Sequence, residues 1–334
     1  MIIDLRSDTI TRPTPAMLEA MCRAAVGDDV FEEDPTVKAL EEKAAAMFGM
    51  EAGLFFPSGT MANQVAVKIH TQPMDEVIAD QLCHIYNHEN GGAAFHSGVS
   101  MRLTACQRGI MTPEAIEACI LPETDWYPTT RLVCIENSVN KGGGAVYSID
   151  AMWKVADCCR SHRLALHLDG ARIFNALTFL QQQPIALKGM FDTISVCISK
   201  GLGAPAGSVL LGSAPLMKRA RKVRKAMGGG MRQVGILAAA CIYALDNHIQ
   251  RLEDDHRRAA TIARWLEPLD WVKQVLPVET NIVVMEVEHS NEAAARLGDK
   301  GIRASVFSPT QLRMVTHLDF TEEQLEELGR RLKS

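Results

Sequence analysis

The sequence predicts an α/β fold built on a largely parallel sheet, followed by a small α+β C-terminal domain. Two observations carry that prediction. From about residue 38 onward, helical and strand-like patterns alternate, as they do where crossover helices join parallel strands. After Pro277 the alternation gives way to three strand-like runs, TNIVVMEV, GIRASVF and QLRMVTH, and then a final helix. The 334 residues, 47% hydrophobic and 22% charged, allow one large or two ordinary domains with a sizeable core.

Taken in order, TVKALEEKAAAMFG (36–49) is rich in helix formers and ends on a glycine suited to a C-cap. EAGLFFPSGTMANQVAVKIH then gives a short apolar strand, a Ser-Gly-Thr turn and a helix. RLVCIEN (131–137) and LALHLDGAR (164–172) read as strands whose polar residues collect at their C-terminal ends, the edge at which open α/β sheets bind ligands. A long helical region, 234–266, reads as a connector. No internal repeat or low-complexity segment stands out.

Charge and cysteine content narrow the function classes. With 35 basic and 40 acidic residues the net charge is −5, so no overall basic field attracts nucleic acid or anionic lipid. The one basic cluster, KRARKVRK (218–225), reads as a solvated helix face. MIIDLRSD lacks the basic and apolar regions of a leader, and no apolar run reaches membrane-spanning length, so a cytoplasmic protein is expected. Nine cysteines without zinc-type C-x-x-C pairs read as reduced thiols.

Three strand ends carry candidate chemistry. PSGT (57–60) places Ser58, Gly59 and Thr60 at a helix start, which serves either as an ordinary N-cap or as an anion site made of free N–H groups. There is no G-x-x-x-x-G-K-[ST] run, so a nucleotide P-loop is disfavoured. Asp169, in HLDGAR, either pairs with an arginine for structure or holds a cationic ring nitrogen, and Arg172 can clamp a carboxylate bidentately. Lys200 lies between two apolar runs in SVCISKGLGAPAGSVLL. It is either a lysine snorkelling from a strand end or an amine poised to form a Schiff base. An anion-binding turn, then a strand-end aspartate, then a lysine about 30 residues later on the next strand is the order expected of a pyridoxal phosphate enzyme with the aspartate-aminotransferase type fold.

Seven longer motifs extend this reading: DLRSDTITRPT (4–14), VGDDVFEEDPTV (26–37), LFFPSGTMAN (54–63), HLDGARIFNA (167–176), SKGLGAPAGS (199–208), GGGMRQ (228–233) and LRMVTHLD (312–319). In these the chain resembles the low-specificity L-threonine aldolases over nearly its full length. The resemblance implies pyridoxal phosphate fold type I, with a mostly parallel seven-stranded sheet and a smaller C-terminal domain. It divides the chain into an N-terminal active-site segment (1–14), a large cofactor-binding domain (15–250) and a small domain (251–334). The implied reaction is reversible retro-aldol cleavage of L-3-hydroxy-α-amino acids to glycine and an aldehyde. Its rivals are β-elimination or racemisation on the same scaffold, and a catalytically dead binding protein.

The resemblance also implies roles. Lys200 carries pyridoxal phosphate as an internal aldimine, and Asp169 keeps the pyridine nitrogen protonated. Ser58, Gly59 and Thr60 hold the phosphate, which Arg232 reaches from a neighbouring subunit of a homodimer or homotetramer. Ser7, Arg172 and Arg313 bind the amino-acid carboxylate, with Arg172 also among the residues that hold the cofactor. His84 stacks on the ring near the substrate hydroxyl and either takes its proton or orients a water that does. Its spacing to His88 would suit a helical zinc pair, but no third ligand or H-E-x-x-H pattern accompanies it, so no metal is expected.

Departures from the family pattern fall on the hydroxyl side. Many members carry a histidine at the place aligned with Trp126, and ENTHN where this chain has ENSVN, with Val139 replacing a second histidine. His88 stands where the family has a small or aromatic residue. An indole at position 126 would offer an apolar stacking wall and favour a larger β-substituent. On that reading Trp126→His shifts the preference among threonine, allo-threonine and phenylserine.

Overall fold

Asp34 shows how local chemistry sets the elements. Its Oδ1 accepts the N–H groups of Thr36 at 3.1 Å and Val37 at 3.0 Å, and Pro35 occupies the first helical position. Gly49, with φ of 65°, ends the helix Pro35–Phe48 in the left-handed conformation that favours glycine. The helix expected from Thr36 therefore starts one residue earlier, at Pro35, and Gly49 caps its end as expected. This computed structural model describes residues 2–333; Met1 and Ser334, the outer ends of the expected segments 1–14 and 251–334, lie outside the described residues.

In chain order the strands are β1 (Ile3–Asp4), β2 (Ala52–Phe56), β3 (Asp75–Asp80), β4 (Ser100–Thr104), β5 (Thr129–Glu136), β6 (Ala165–Gly170), β7 (Thr193–Cys197), β8 (Ser208–Gly212), β9 (Val272–Val275), β10 (Ile282–Val287), β11 (Ile302–Arg303), β12 (Ser305–Ser308) and β13 (Gln311–Val315). Seven of them form one sheet in the order β2-β8-β7-β6-β5-β3-β4, in which only β8 runs antiparallel to its neighbours. Successive side chains of a strand point to opposite faces, and β5 shows the consequence. Val133 and Ile135 enter the larger core beneath the helices Pro35–Phe48, Ile149–Ser161 and Gly235–Asn247, whereas Leu132 and Cys134 join Val67, Val77 and Ala79 on the other face. A sheet covered on both faces leaves the C-terminal ends of its parallel strands as the ligand edge.

The second sheet, β12-β13-β10-β9, is antiparallel and packs with the helices Leu252–Leu266, Ser290–Asp299 and Glu322–Lys333. β1 pairs with β11, so that Ile3 and Leu5 are buried in this C-terminal core. The extreme N-terminal strand is thereby anchored to the opposite end of the chain.

Two expectations are corrected. The region 234–266 is not one helix but two, Gly235–Asn247 and Leu252–Leu266. At the break, His248 Nδ1 bonds the Leu202 carbonyl at 2.7 Å and Arg251 donates to the Gly201 carbonyl at 3.2 Å, so the interruption holds the turn just after Lys200. The basic cluster at 218–225 is only partly solvated. Arg224 is buried, donating to Asp29 and to the Phe55 carbonyl at 2.6 Å each, and Arg221 spans Asp29, Glu32 and Glu41. Burial pushes the Glu41 carboxyl up to about 7, even though it accepts the Phe55 N–H and lies near Arg221. All nine cysteines are unbridged. No helix among the described residues is long and apolar enough to cross a membrane.

Candidate active site

Parallel strands that end side by side bring their last polar residues together. Glu136 closes β5 directly beside Asp169 on β6, and Asp169 in turn lies opposite Ser195 on β7. At this edge a cavity of about 240 Å³ is lined by Ser58, Gly59, Thr60, Asn63, His84, Asp169 and Lys200, with Thr9, Ser195 and Cys197 among the remaining contributors. The structure thus collects six of the residues singled out in the sequence. It adds Asn63 and Thr9, which carry no distinguishing signal in the sequence.

Each wall has a local cause. Ser58 caps the helix Gly59–His70 by accepting the Met61 N–H at 3.2 Å. The N–H groups of Gly59 and Thr60 have no partner among the described residues and face the cavity end of the helix dipole. Asp169 is buried, its Oδ1 accepting the Ala171 N–H at 3.0 Å and its Oδ2 the Asn63 amide at 2.8 Å. Lys200 is half-buried, and its side chain makes no hydrogen bond or ion pair with the described residues. It lies not on a strand, as the sequence suggested, but in the turn beyond β7. That turn closes through Gly203 N–H to the Lys200 carbonyl at 2.8 Å, with Gly203 at φ of 83°.

His84 donates its backbone N–H to Glu136 Oε2 at 2.8 Å, while its ring Nδ1 lies 2.9 Å from Glu89 Oε1. Burial alone would lower its affinity for a proton, but Glu89, Asp169 and Glu136 together raise it above the ordinary histidine value. Burial, and then the Asp169 charge, push the Glu136 carboxyl up to about 7. The ring of His88 lies 5.4 Å from that of His84, outside the cavity lining, and burial together with His84, Lys141 and Arg313 lowers its proton affinity.

The predicted carboxylate binders Ser7, Arg172 and Arg313 do not line the cavity. Arg172 is buried and forms a bidentate pair with Asp8, Nε to Oδ2 at 2.8 Å and Nη2 to Oδ1 at 2.7 Å. Arg313 donates to Asn140 Oδ1 at 2.7 Å and to the Arg6 carbonyl at 2.9 Å, and stacks on Phe307, while its Nε is buried without a partner. Burial, and then the charge of Arg172, bring Arg313 down to about 10, with Asp8 acting in the opposite sense. Ser7 caps the short turn Asp8–Ile10 by accepting the Thr9 N–H at 3.2 Å.

Arg232, Val139 and Trp126 do not line this cavity either. Arg232 is exposed and pairs with Asp28 at 3.0 Å. Val139 is buried in the larger core and bridges Ala145. Trp126, 75% exposed, precedes β5 and lines a depression with Gln72, Pro73, Met74 and Tyr127 at the opposite edge of the sheet. The physical reason is topological: residues entering a parallel strand lie at one edge of the sheet, and residues leaving it lie at the other, the ligand edge.

Residues 4–290 match the family model described as beta-eliminating lyase. The chain belongs to the beta-eliminating lyase family. Low-specificity L-threonine aldolase 1 of Arabidopsis thaliana is 42% identical over 329 residues, 96% of this chain and 92% of that protein. The low specificity L-threonine aldolase of Escherichia coli strain K12 is likewise 42% identical over 329 residues, 98% of this chain and 97% of that protein. A solved structure of threonine aldolase from Leishmania major superposes with a TM-score of 0.87 over 99% of this chain and 98% of its own, at 21% identity, which shows the shared fold. The chain has the architecture of fold type I, and the beta-eliminating lyase family carries dependence on pyridoxal phosphate. The residues present fit that group: unpartnered N–H groups at a helix start suit a phosphate, a buried strand-end carboxylate suits a cationic ring nitrogen, and an unpaired amine lines the same cavity.

Proposed function

We propose that this chain cleaves L-3-hydroxy-α-amino acids of the threonine and phenylserine type to glycine and an aldehyde, reversibly, as a homodimer or homotetramer in the cytoplasm. The observation that carries the reading is the single cavity in which Lys200, Asp169, His84 and the Ser58–Thr60 turn meet. When bound, pyridoxal phosphate supplies an electron sink for the pair released as Cα–Cβ breaks. Ser58, Gly59 and Thr60 would hold its phosphate, Asp169 would keep a proton on its ring nitrogen, and Lys200 would bond it covalently. That Arg232 is exposed and does not line its own cavity supports a role at the phosphate of a second copy.

The chain's own residues divide the remaining work. Arg172 and Arg313 orient the substrate carboxylate, with Ser7 beside them. His84, on the cavity wall, draws the proton from the β-hydroxyl, directly or through one water, so that oxygen becomes the aldehyde carbonyl. The test is a product assay of the cofactor-loaded protein on L-threonine, L-allo-threonine, L-phenylserine and L-serine. Glycine with aldehyde is expected; pyruvate without aldehyde would replace this reading with β-elimination.

Arg313→Lys supplies a second check. Lysine keeps the charge but loses the planar fork that spans Asn140, the Arg6 carbonyl and a substrate anion. A charged hydrogen bond is worth about 1.5–3 kcal/mol, so KM for L-threonine is expected to rise roughly 10- to 100-fold, with kcat changed far less. An unchanged KM would remove Arg313 from the carboxylate site.

A further inference from the structure

Glu89 has no part in the proposed cleavage as described so far, yet its side chain is entirely buried and has no lysine or arginine partner among the described residues. A carboxylate so placed is costly unless its oxygens are hydrogen-bonded. Oε1 meets His84 Nδ1 at 2.9 Å and the Asn63 amide at 2.9 Å, and Oε2 accepts from Gln64 Nε2 at 2.5 Å. The orientation of Asn63 follows from its partners: carboxylate oxygens only accept, so Nδ2 is the atom that meets Glu89 and Asp169, while Oδ1 accepts from Ser195 Oγ at 2.7 Å. Its amide must therefore face the two carboxylates, and it joins Glu89 to Asp169. Asp169 from β6 and Glu136 from β5 also face His84. Asp169 is bonded to Asn63 and Ala171, and Glu136 accepts the backbone N–H groups of His84 and Asn140, so among the described residues Glu89 alone among the carboxylates bonds the ring.

We propose that Glu89 is the positioning residue of His84: its carboxylate holds the proton on Nδ1, so that Nε2 is the nitrogen presented to the cavity for the substrate hydroxyl proton. The proposal rests on the aldolase reading for its hydroxyl. As the proton passes to Nε2, the electrons of the O–H bond become the second bond of the aldehyde carbonyl, and the imidazolium formed keeps its Nδ1–H on Glu89. The raised proton affinity of His84 agrees with this arrangement.

The test uses the holoenzyme with Glu89→Gln, which retains an acceptor for Nδ1–H and removes the charge. If Glu89 stabilises the imidazolium, the acid limb of kcat/KM for L-threonine moves to lower pH by about one unit. Gln64→Met takes a donor away from Glu89, leaves more of its charge for His84, and is expected to move the limb slightly upward. NMR titration of the His84 ring in both variants reads the same shifts without turnover. If the wild type makes no aldehyde, the aldolase reading fails while this measurement still decides the hold of Glu89 on His84. A His84 titration unchanged in both variants, with at most a uniform loss of kcat, would make Glu89 a structural residue and overturn the proposal. Should Glu89→Gln not fold, the presence or absence of the shift in Gln64→Met decides.

Discussion

Replacing Lys200 by alanine is expected to lower glycine formation from L-threonine roughly 10⁴- to 10⁶-fold, the scale on which a catalytic unit fails when one member is removed. The structure allows this loss to be read as chemistry. The Lys200 side chain makes no hydrogen bond or ion pair with the described residues, and its turn is held by backbone bonds and by His248 and Arg251 from the neighbouring helices. A substitution that removes no packing or partner usually changes stability by only about 0.5 kcal/mol. One local effect accompanies it. Burial raises the Cys197 thiol, but Lys200 with Ser199 and Ser208 brings it below its ordinary value, so the thiol should titrate higher in the variant. Borohydride treatment and then mass analysis should leave the cofactor attached to the wild type and not to Lys200→Ala. Turnover within tenfold of wild type would show that another amine does this work.

Ser58, Asp169 and Lys200 are legible in the sequence for a simple reason. Each is a residue of distinctive chemistry at or just beyond the end of an apolar run, and a parallel sheet brings such ends to one edge. Glu89, Asn63, Gln64, Asp8 and Glu136 are not, because their roles arise from contacts that composition and periodicity do not encode. Asn63 meets a residue 106 positions away, and Asp8 meets one 164 away. The break in the 234–266 helix is hidden for the same reason, since its cause is the loop beyond Lys200. Trp126 is a different case. Position by position it aligns with a family histidine, yet it stands before Thr129, the first residue of β5, and that order already points to the far edge of the sheet.

Removing the Asp8 carboxylate is expected to cost about 3–5 kcal/mol of stability at pH 7, the range for breaking a buried ion pair from one side. Asp8 is fully buried, bound by two bonds to Arg172 and accepting from Asn281 at 3.2 Å. Burial would raise its pKa, but the Arg172 guanidinium holds the carboxyl well below the usual carboxylate range. A folded-state pKa depressed in this way contributes stability that is fully present above the ordinary aspartate pKa, about 3.9, and is lost as pH falls through the folded value. The difference between wild type and Asp8→Asn in urea midpoint should therefore be constant near neutrality and narrow in acid; equal midpoints at pH 7 would sink the argument. Much of the loss comes from stranding a buried guanidinium rather than from the pair's own worth. Asp8→Leu combined with Arg172→Met should accordingly regain much of the stability that Asp8→Asn loses. On the proposed reading it should not regain activity, because Arg172→Met removes the guanidinium proposed to bind the substrate carboxylate, of which Asp8 occupies only Nε and Nη2. A double variant that is stable but has a much raised KM separates the two roles of this pair; one that is stable and fully active would leave Arg172 with a structural role alone.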